Sequence, residues 1–354
     1  MPSLVHLIPY TDNQTKLCQK LTDTLNKFNL KIENQNLVAI KMHFGEKGNK
    51  GYIKPPFVKA VADFVKTKKA YPFLTDTNTL YRGNRSNSVQ HLCIAYGHGF
   101  DFKKVEAPVI IADGLWGQNA ARVSVNGLKH FKKLSYASDL LQADFVINLA
   151  HATGHLLAGY GGAIKNIAMG CANRAGKMEQ HSELCPAIDP NLCKKCKECV
   201  AHCPANAIDT TGDNFFIDQN KCIGCGDCIV ACKLFAIQIN WSENTHALQE
   251  KIAEYAYGFC LQKKNKMIHI NFLTYFTKNC DCLAKDEPVL IDDIGILISD
   301  DPVAVDKAAI DLIQKTAGKD IFKELYPKIN YMVQIEYAHK LGCGNIEYEL
   351  KIIN

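Results

Sequence analysis

Eight of the sixteen cysteines in this chain fall in two copies of one spacing. "CKKCKECVAHCP" supplies Cys193, Cys196, Cys199 and Cys203, and "CIGCGDCIVACK" supplies Cys222, Cys225, Cys228 and Cys232. Each copy reads Cys-x2-Cys-x2-Cys-x3-Cys. Loops this short let three thiolates converge on one face of an iron–sulfur cubane, while the fourth Cys reaches the other cluster. The spacing therefore assigns Cys193, Cys196, Cys199 and Cys232 to one 4Fe–4S cluster. It assigns Cys222, Cys225, Cys228 and Cys203 to a second. A zinc ribbon would show paired Cys-x2-Cys knuckles instead.

These motifs resemble bacterial-type two-cluster ferredoxins, and the likeness extends to Ala207-Ile208 and Ala236-Ile237 at matching places. Pro204 follows the first motif, but Lys233 stands at that place in the second, which leaves the backbone of the second turn open and its ligation unaffected. Lys194, Lys195 and Lys197 crowd the first motif. They form either a docking face for an acidic redox partner, such as a ferredoxin or flavodoxin, or an ordinary solvated surface.

A further pair, Cys280 and Cys282, lies well beyond these motifs in "TKNCDCLAKDEP". In an extended segment residues i and i+2 point to the same side. That suits joint ligation of an additional metal or a redox-active dithiol better than a relaxed disulfide between near neighbours. The alternative is two buried thiols at the end of the strand "INFLTYF". Cys171, Cys185 and Cys260 read as core or boundary residues.

The remaining candidate chemistry gathers after strand ends. Lys41, His43 and Gly45 close one apolar run; Asp76, Asn78, Tyr81, Arg82 and Arg85 follow another; Asp113 and Gly114 follow a third. The richest stretch is "HATGHLLAGYGGAIKNIAMGCANRAGK", residues 151–177. Gly159, Gly161 and Gly162 permit close backbone approach, and Lys165, Arg174 and Lys177 supply positive charge, so together they form a candidate anion site. It is neither a GxGxxG fingerprint nor a P-loop. His151 and His155 would share one face of a helix, half of a metal site, though no Glu completes an HExxH pattern. Proton transfer by His43, His151 or His155 is the catalytic reading, because imidazole titrates near neutral pH, with Lys165 as a further catalytic candidate beside His43 and His155. Nucleophilic catalysis finds no support, for there is no GxSxG and no Cys identifiable as an activated thiolate.

"IKMHFGEKGN", "PFLTDTNTLYRGNR", "GYGGAIKNIAMGCANRAGK", the two cysteine motifs, "CDC" and "DIGILISDDPVAVDKAAIDL" together resemble the family called domain of unknown function 362, in its ferredoxin-bearing form. The resemblance covers nearly the whole chain, in order. It implies an iron–sulfur protein of anaerobic-type metabolism, with a ferredoxin module set inside an α/β domain. One departure is "AHATG" before His155, where the family pattern has a lysine ahead of Gly-His, which bears on the anion site.

The elements that must position these residues alternate between strand and helix. "NLVAIKMHFG", "AYPFLTDTN", "APVIIADGL" and "QADFVINLAH" are apolar, β-rich runs; "PPFVKAVADFVKTKK" is a helix opened by Pro55 and Pro56, with Phe57, Val58, Val61, Phe64 and Val65 on one face. "KMIHINFLTYF" and "VLIDDIGILIS" read as further strands, and "DDPVAVDKAAIDLIQK" as a helix capped by Asp301. The expected fold is α/β: a lobe with a mostly parallel sheet, formed by residues 1–184 and 241–354, and an inserted two-cluster ferredoxin-like α+β domain over residues 185–240.

Composition narrows the class. The chain has 354 residues, is 47% hydrophobic and 22% charged, and carries a net charge of +5, which fits a globular protein of two or three domains. Only four of its 41 basic residues are Arg, namely Arg82, Arg85, Arg122 and Arg174. Scattered lysines without an aromatic-studded basic strip argue against nucleic acid. No apolar run is long enough to span a membrane, the N-terminal stretch lacks a secretory signal, and free thiols suit the reducing cytoplasm. The expected function is electron transfer through two 4Fe–4S clusters to a small anionic substrate, that is, an oxidoreductase. The alternatives are a non-catalytic electron carrier or docking module, and a metal- or metallocofactor-dependent enzyme with structural clusters. Because the eight motif cysteines close two clusters among themselves, replacing Cys280 and Cys282 together by Ser should leave the cluster spectra intact. Loss of half the iron in that variant would show a misassigned ligand set.

Overall fold

In the computed structural model, which describes residues 1–81, 83–181, 185–212, 214–239 and 244–353, the apolar runs become strands buried on both faces. Val38 and Ile40 pack into one core layer and Ala39 into the other; Ile147 and Leu149 alternate with Val146 in the same way. Such two-sided burial is what a near-continuous run of β-branched and aliphatic residues favours. Arg82, and the expected boundaries at 184 and 240, lie outside the described residues.

The central sheet has eight strands, in the spatial order Tyr348–Ile352, Ser3–Pro9, Gly295–Ser299, Met267–Leu273, Phe145–His151, Leu37–Lys41, Tyr71–Asp76 and Val109–Ile111. All run the same way except Gly295–Ser299, which is antiparallel to both neighbours. The fold is therefore mixed α/β with a large, mostly parallel sheet. The strand expected over "VLIDDIGILIS" begins only at Gly295. Asp293 turns aside to accept the backbone N–H of Tyr275 at 2.6 Å, so the preceding residues form a loop.

From Leu37–Lys41 the chain steps to Tyr71–Asp76 and Val109–Ile111 on one side, then returns to Phe145–His151 and Met267–Leu273 on the other. The carboxyl ends of Leu37–Lys41 and Phe145–His151 thus flank a topological switch point, where α/β sheets bind ligands. Helices cover both faces. Pro55–Thr67 begins with Pro at its first turn and buries Val58, Val61, Ala62, Phe64 and Val65, the i, i+3, i+4 stripe of an amphipathic helix. Thr245–Gln262, Pro302–Ala317 and Val333–Leu341 contribute to the opposite core layer. Among the described residues no helix is long and apolar enough to cross a membrane.

Residues 185–239 build a different kind of structure. Two short antiparallel ribbons, Ala187–Ile188 with Ile237–Gln238 and Ile208–Asp209 with Phe216–Ile217, frame the helices Glu198–Ala201 and Asp227–Ala231. Their small core consists of Ile208, Ile217, Ile229, Ile237 and cysteines, and it includes Leu80 and Met178 from the main lobe.

Asp301 ties the termini to this fold. Its Oδ1 accepts the N–H groups of Val303 and Ala304 at 2.8 and 2.9 Å, capping the Pro302–Ala317 helix. Its Oδ2 accepts from the Ser3 hydroxyl and from the Asn345 N–H, both at 2.7 Å. Asp301→Ala should lower stability by about 1–2 kcal/mol for the cap alone, read as a lower urea midpoint at unchanged m-value by far-UV circular dichroism under anaerobic conditions. An unmoved midpoint would show that the carboxylate anchors nothing.

Candidate functional site

The two cysteine motifs share a backbone, not only a spacing. Lys195 and Lys197 in the first copy, and Gly224 and Gly226 at the same places in the second, all adopt positive φ between 56° and 75°. Asn206 and Phe235 match in the same way, at 48° and 56°. The second turn therefore takes the conformation of the first, with Lys233 replacing the proline. A left-handed L-residue costs roughly 1–2 kcal/mol, so four such non-glycine residues mark loops held by what they enclose.

What they enclose is two cavities. Cys193, Cys196, Cys199 and Cys232 line one, walled by Ile188, Phe215, Leu234 and Ile237. Cys203, Cys222, Cys225 and Cys228 line the other, walled by Ile208, Ile217 and Ile223. The donor sets fit a thiolate-ligated cluster: four thiols around each apolar cavity, and an N–H from Ala207 already directed at Cys203 Sγ at 3.2 Å. Burial pushes the Cys199 and Cys225 thiols up to about 11, so ligation must displace protons.

The two cavities face different surroundings. Around the first, Lys194, Lys195, Cys196, Lys197 and Lys233 are exposed. The second abuts the main lobe at Gly226, where a Cβ would stand 2.9 Å from Leu80 and 3.2 Å from Arg174. Asp227 then pairs with Arg174 at 3.3 Å and accepts from Gln118 at 2.5 Å. Only glycine satisfies both the positive φ and the close approach at 226, whereas the solvent-facing first copy tolerates Lys197 at that place.

The second candidate region is the switch point. Lys41, fully buried, lies 3.1 Å from Asp76 and donates to Asn166 Oδ1 at 2.7 Å. Burial alone would raise the Asp76 carboxyl, but Lys41, His43, His91 and Arg85 hold it well below the usual carboxylate range. Arg85 reaches Glu46 through Nε at 3.0 Å, Tyr81 Oη at 3.1 Å, and the Nε2 of His43 at 2.8 Å. Burial and then Arg85 keep His43 neutral, far below its ordinary value. His43 thus lies between two donors, the Arg85 guanidinium at Nε2 and the Gly45 N–H at Nδ1, 3.0 Å away.

His151 and His155 lie at the ends of the strands Phe145–His151 and Thr153–His155, not on a helix, so the helical metal half-site does not form. His151 is engaged at both nitrogens, by Asp281 at 2.9 Å and by the carbonyl of Thr274 at 2.7 Å. Burial would lower its pKa, but Asp281 and Thr274 raise it overall. His155 Nδ1 accepts the N–H of Ala158 at 3.0 Å, which puts its proton on Nε2. Among the described residues no three His, Cys, Asp or Glu side chains converge to hold a single metal ion.

Lys165 is the candidate with unspent donors: a half-buried amine with no carboxylate or carbonyl partner within hydrogen-bond range among the described residues. Burial, with Lys41 and Arg85 nearby, pushes it down to about 8. It feels the same four charges as His43, namely Lys41, Asp76, Arg85 and Asp281, and it bears on His155 too. The other basic residues of the candidate anion site are occupied. Arg174 bonds Asp227 and the carbonyl of Ser86 at 2.6 Å. Lys177 donates to Thr77, Asn78 O and Ala172 O. Of the glycines, a Cβ on Gly159 would strike Tyr331 at 2.6 Å and one on Gly162 would strike the Tyr160 hydroxyl at 2.2 Å; Gly161 alone borders Lys165, at 3.4 Å from its Cδ.

Cys280 and Cys282 are joined to each other by a disulfide. Their segment turns, with Leu283 N–H donating to Cys280 O at 3.2 Å, so the extended geometry that would aim both thiols outward is absent. The residue that sequence reading passed over is Asp281. Its carboxylate holds His151, and its carbonyl accepts the Glu46 N–H at 3.0 Å. In the sequence its only signal is its place between two cysteines; its burial and its histidine partner come from the fold.

The chain belongs to the family described as Domain of unknown function (DUF362), whose pattern matches residues 38–311. No curated protein matches it. Among solved structures, the lactate racemase apoprotein from Thermoanaerobacterium thermosaccharolyticum is similar at 12% identity and a TM-score of 0.38, over 77% of this chain and 51% of that one. This chain thus spans about half of that protein's length.

Because His151 is raised on folding, its stabilising pairing with Asp281 is complete below the ordinary 6.5 and is lost as pH rises through the folded value. Imidazole NMR titration should give His151 a midpoint above 6.5, falling in Asp281→Asn. A midpoint below 6.5 in the unsubstituted protein would remove the ion pair from the account.

Proposed function

We propose that this DUF362 member is an iron–sulfur oxidoreductase acting on a small anionic substrate. In this reading residues 185–240 are a ferredoxin-like insertion in the lobe made by residues 1–184 and 241–354. Cys193, Cys196, Cys199 and Cys232 hold one 4Fe–4S cluster, and Cys203, Cys222, Cys225 and Cys228 hold the other. When bound, such clusters supply one-electron transfer at potentials set by charge, hydrogen bonding and exposure. The observation that carries the reading is the pair of apolar cavities, each lined by four thiols within one repeated backbone.

The lobe's residues then divide the work at the switch point. Lys165, half-buried and unpartnered among the described residues, binds the anion and can give up a proton near neutral pH. His155 offers its Nε2–H, and His43, kept neutral by Arg85, holds the Arg85 fork in place. Gly161 leaves room beside the Lys165 stem. Arg174 and Lys177 act on the frame: Arg174 fastens the second motif to the lobe, and Lys177 ties residues 77, 78 and 172 together. The exposed lysines around the first cavity suit an acidic redox partner, and the reducing cytoplasm suits free thiols.

Anaerobically purified protein should contain about eight irons and, when reduced, give the low-temperature EPR of two coupled cubanes. Iron near zero, or stoichiometric zinc, would end this reading. Reduced protein should be reoxidised by at least one member of a panel of small oxo acids. Lys165→Met should abolish that step with iron content unchanged. Reoxidation by proteins alone, indifferent to Lys165, would make the chain an electron carrier instead.

A further inference from the structure

The Cys280–Asp281–Cys282 turn is fixed over the switch point by three separate contacts. Asp281 pairs with His151 at 2.9 Å, its carbonyl accepts from Glu46 N–H at 3.0 Å, and the carbonyl of Cys282 accepts from Tyr81 Oη at 3.1 Å. Asp281 is 5% exposed, while both cysteines beside it are half-buried. The clamp therefore grips the buried residue between two half-buried cysteines.

Tyr81 has a second consequence. Its chain neighbour Leu80 is buried against Gly226, between Cys225 and Cys228 of the second cavity. One dipeptide thus spans the distance from the lining of that cavity to the disulfide. The rim of the first cavity faces solvent instead, with Lys194, Lys195 and Lys197 exposed.

On the reading that the cavities hold 4Fe–4S clusters, we propose that Cys280 and Cys282 form a redox-active couple that stores two electrons delivered singly through the second motif. The S–S bond breaks as two electrons and two protons enter, giving two thiols. The electrons come from the reduced clusters, themselves supplied by a one-electron donor, and the protons come from water at the half-buried sulfurs. Because Asp281 and Cys282 stay clamped by backbone and carboxylate contacts that do not involve sulfur, the Cα atoms, 5.3 Å apart, remain within disulfide range after reduction. The bond can then re-form without rearrangement of the lobe. Such a couple matches one-electron centres to chemistry that consumes electrons in pairs.

The test uses iron-loaded protein, titrated anaerobically with dithionite and methyl viologen, beside Cys280→Ser/Cys282→Ser. The unsubstituted protein should take up two more electrons per chain than the variant at equal iron content. After a substoichiometric pulse of reductant, its iron–sulfur absorbance should bleach and then recover, whereas the variant stays bleached. Alkylation and peptide mapping should find label on Cys280 and Cys282 only after reduction. Mapping matters because Cys260 and Cys343, with sulfurs 3.6 Å apart, are another oxidisable pair. Equal electron counts, or a disulfide that persists while the clusters are reduced, would overturn the proposal and leave the cluster reading standing. Absence of iron would overturn the cluster reading itself, and with it this route of reduction.

Discussion

A buried ammonium organises this molecule. Lys41 sits at the end of a central strand with no access to water, and its charge is tolerable only because Asp76, at the end of the next strand, is 3.1 Å away. Removing one partner of such a pair leaves an uncompensated charge, typically a loss of 3–5 kcal/mol. The network continues outward. Asn166 accepts from Lys41 and donates to Asn148 Oδ1 at 2.6 Å, and Asn148 donates to the carbonyl of Ala163 at 3.1 Å. Strand ends, the Ala163–Ala168 helix and the glycine-rich hairpin are thereby set relative to one charge. The same arrangement places Arg85, His43 and Lys165 around it, so the frame and the candidate chemistry share their electrostatics.

Asp306 plays a corresponding part at the N-terminus of the same Ala163–Ala168 helix. Its carboxylate accepts from Tyr160 Oη, Ala163 N–H, Ile164 N–H and Asn271 Nδ2, all between 2.6 and 3.0 Å. Burial pushes it up to about 6 despite these donors. It explains why Gly162, which looks like part of an anion-binding loop, cannot be larger: the space is filled by the Tyr160 hydroxyl and Asp306 itself. A glycine-rich stretch next to basic residues is thus compatible with internal packing as well as with a ligand. Within that stretch Gly161 packs beside the Lys165 stem, at 3.4 Å from its Cδ.

The cysteine-rich segment shows how two copies of one motif acquire different roles from their neighbours. Their backbones match down to the left-handed residues, yet one copy meets Leu80 and Arg174 while the other meets water. Glycine at 226 and lysine at 197 record that difference. So do the buried Arg174–Asp227 pair on one side and the exposed lysines on the other.

Much of this was legible in the residues. Apolar runs of strand length separated by amphipathic helices dictate a mixed α/β fold with a mostly parallel sheet, because only burial on both faces accommodates them. The repeated cysteine spacing dictates two equivalent turns, because the steric options of such short loops are few. Local rules could not reach further than that. Whether "VLIDD" continues a strand depended on Asp293 finding Tyr275, and whether His151 could join a metal site depended on Asp281, far away in sequence. Which of Lys165, Arg174 and Lys177 keeps free donors was likewise a matter of partners from distant segments. The sequence by itself determined the kinds of element and the sets of ligand-type residues, since these rest on short-range sterics and hydrophobic periodicity. The tertiary structure alone decided which polar groups are spent on holding the fold and which are left for chemistry, since a buried charge is defined by whatever the rest of the chain brings against it.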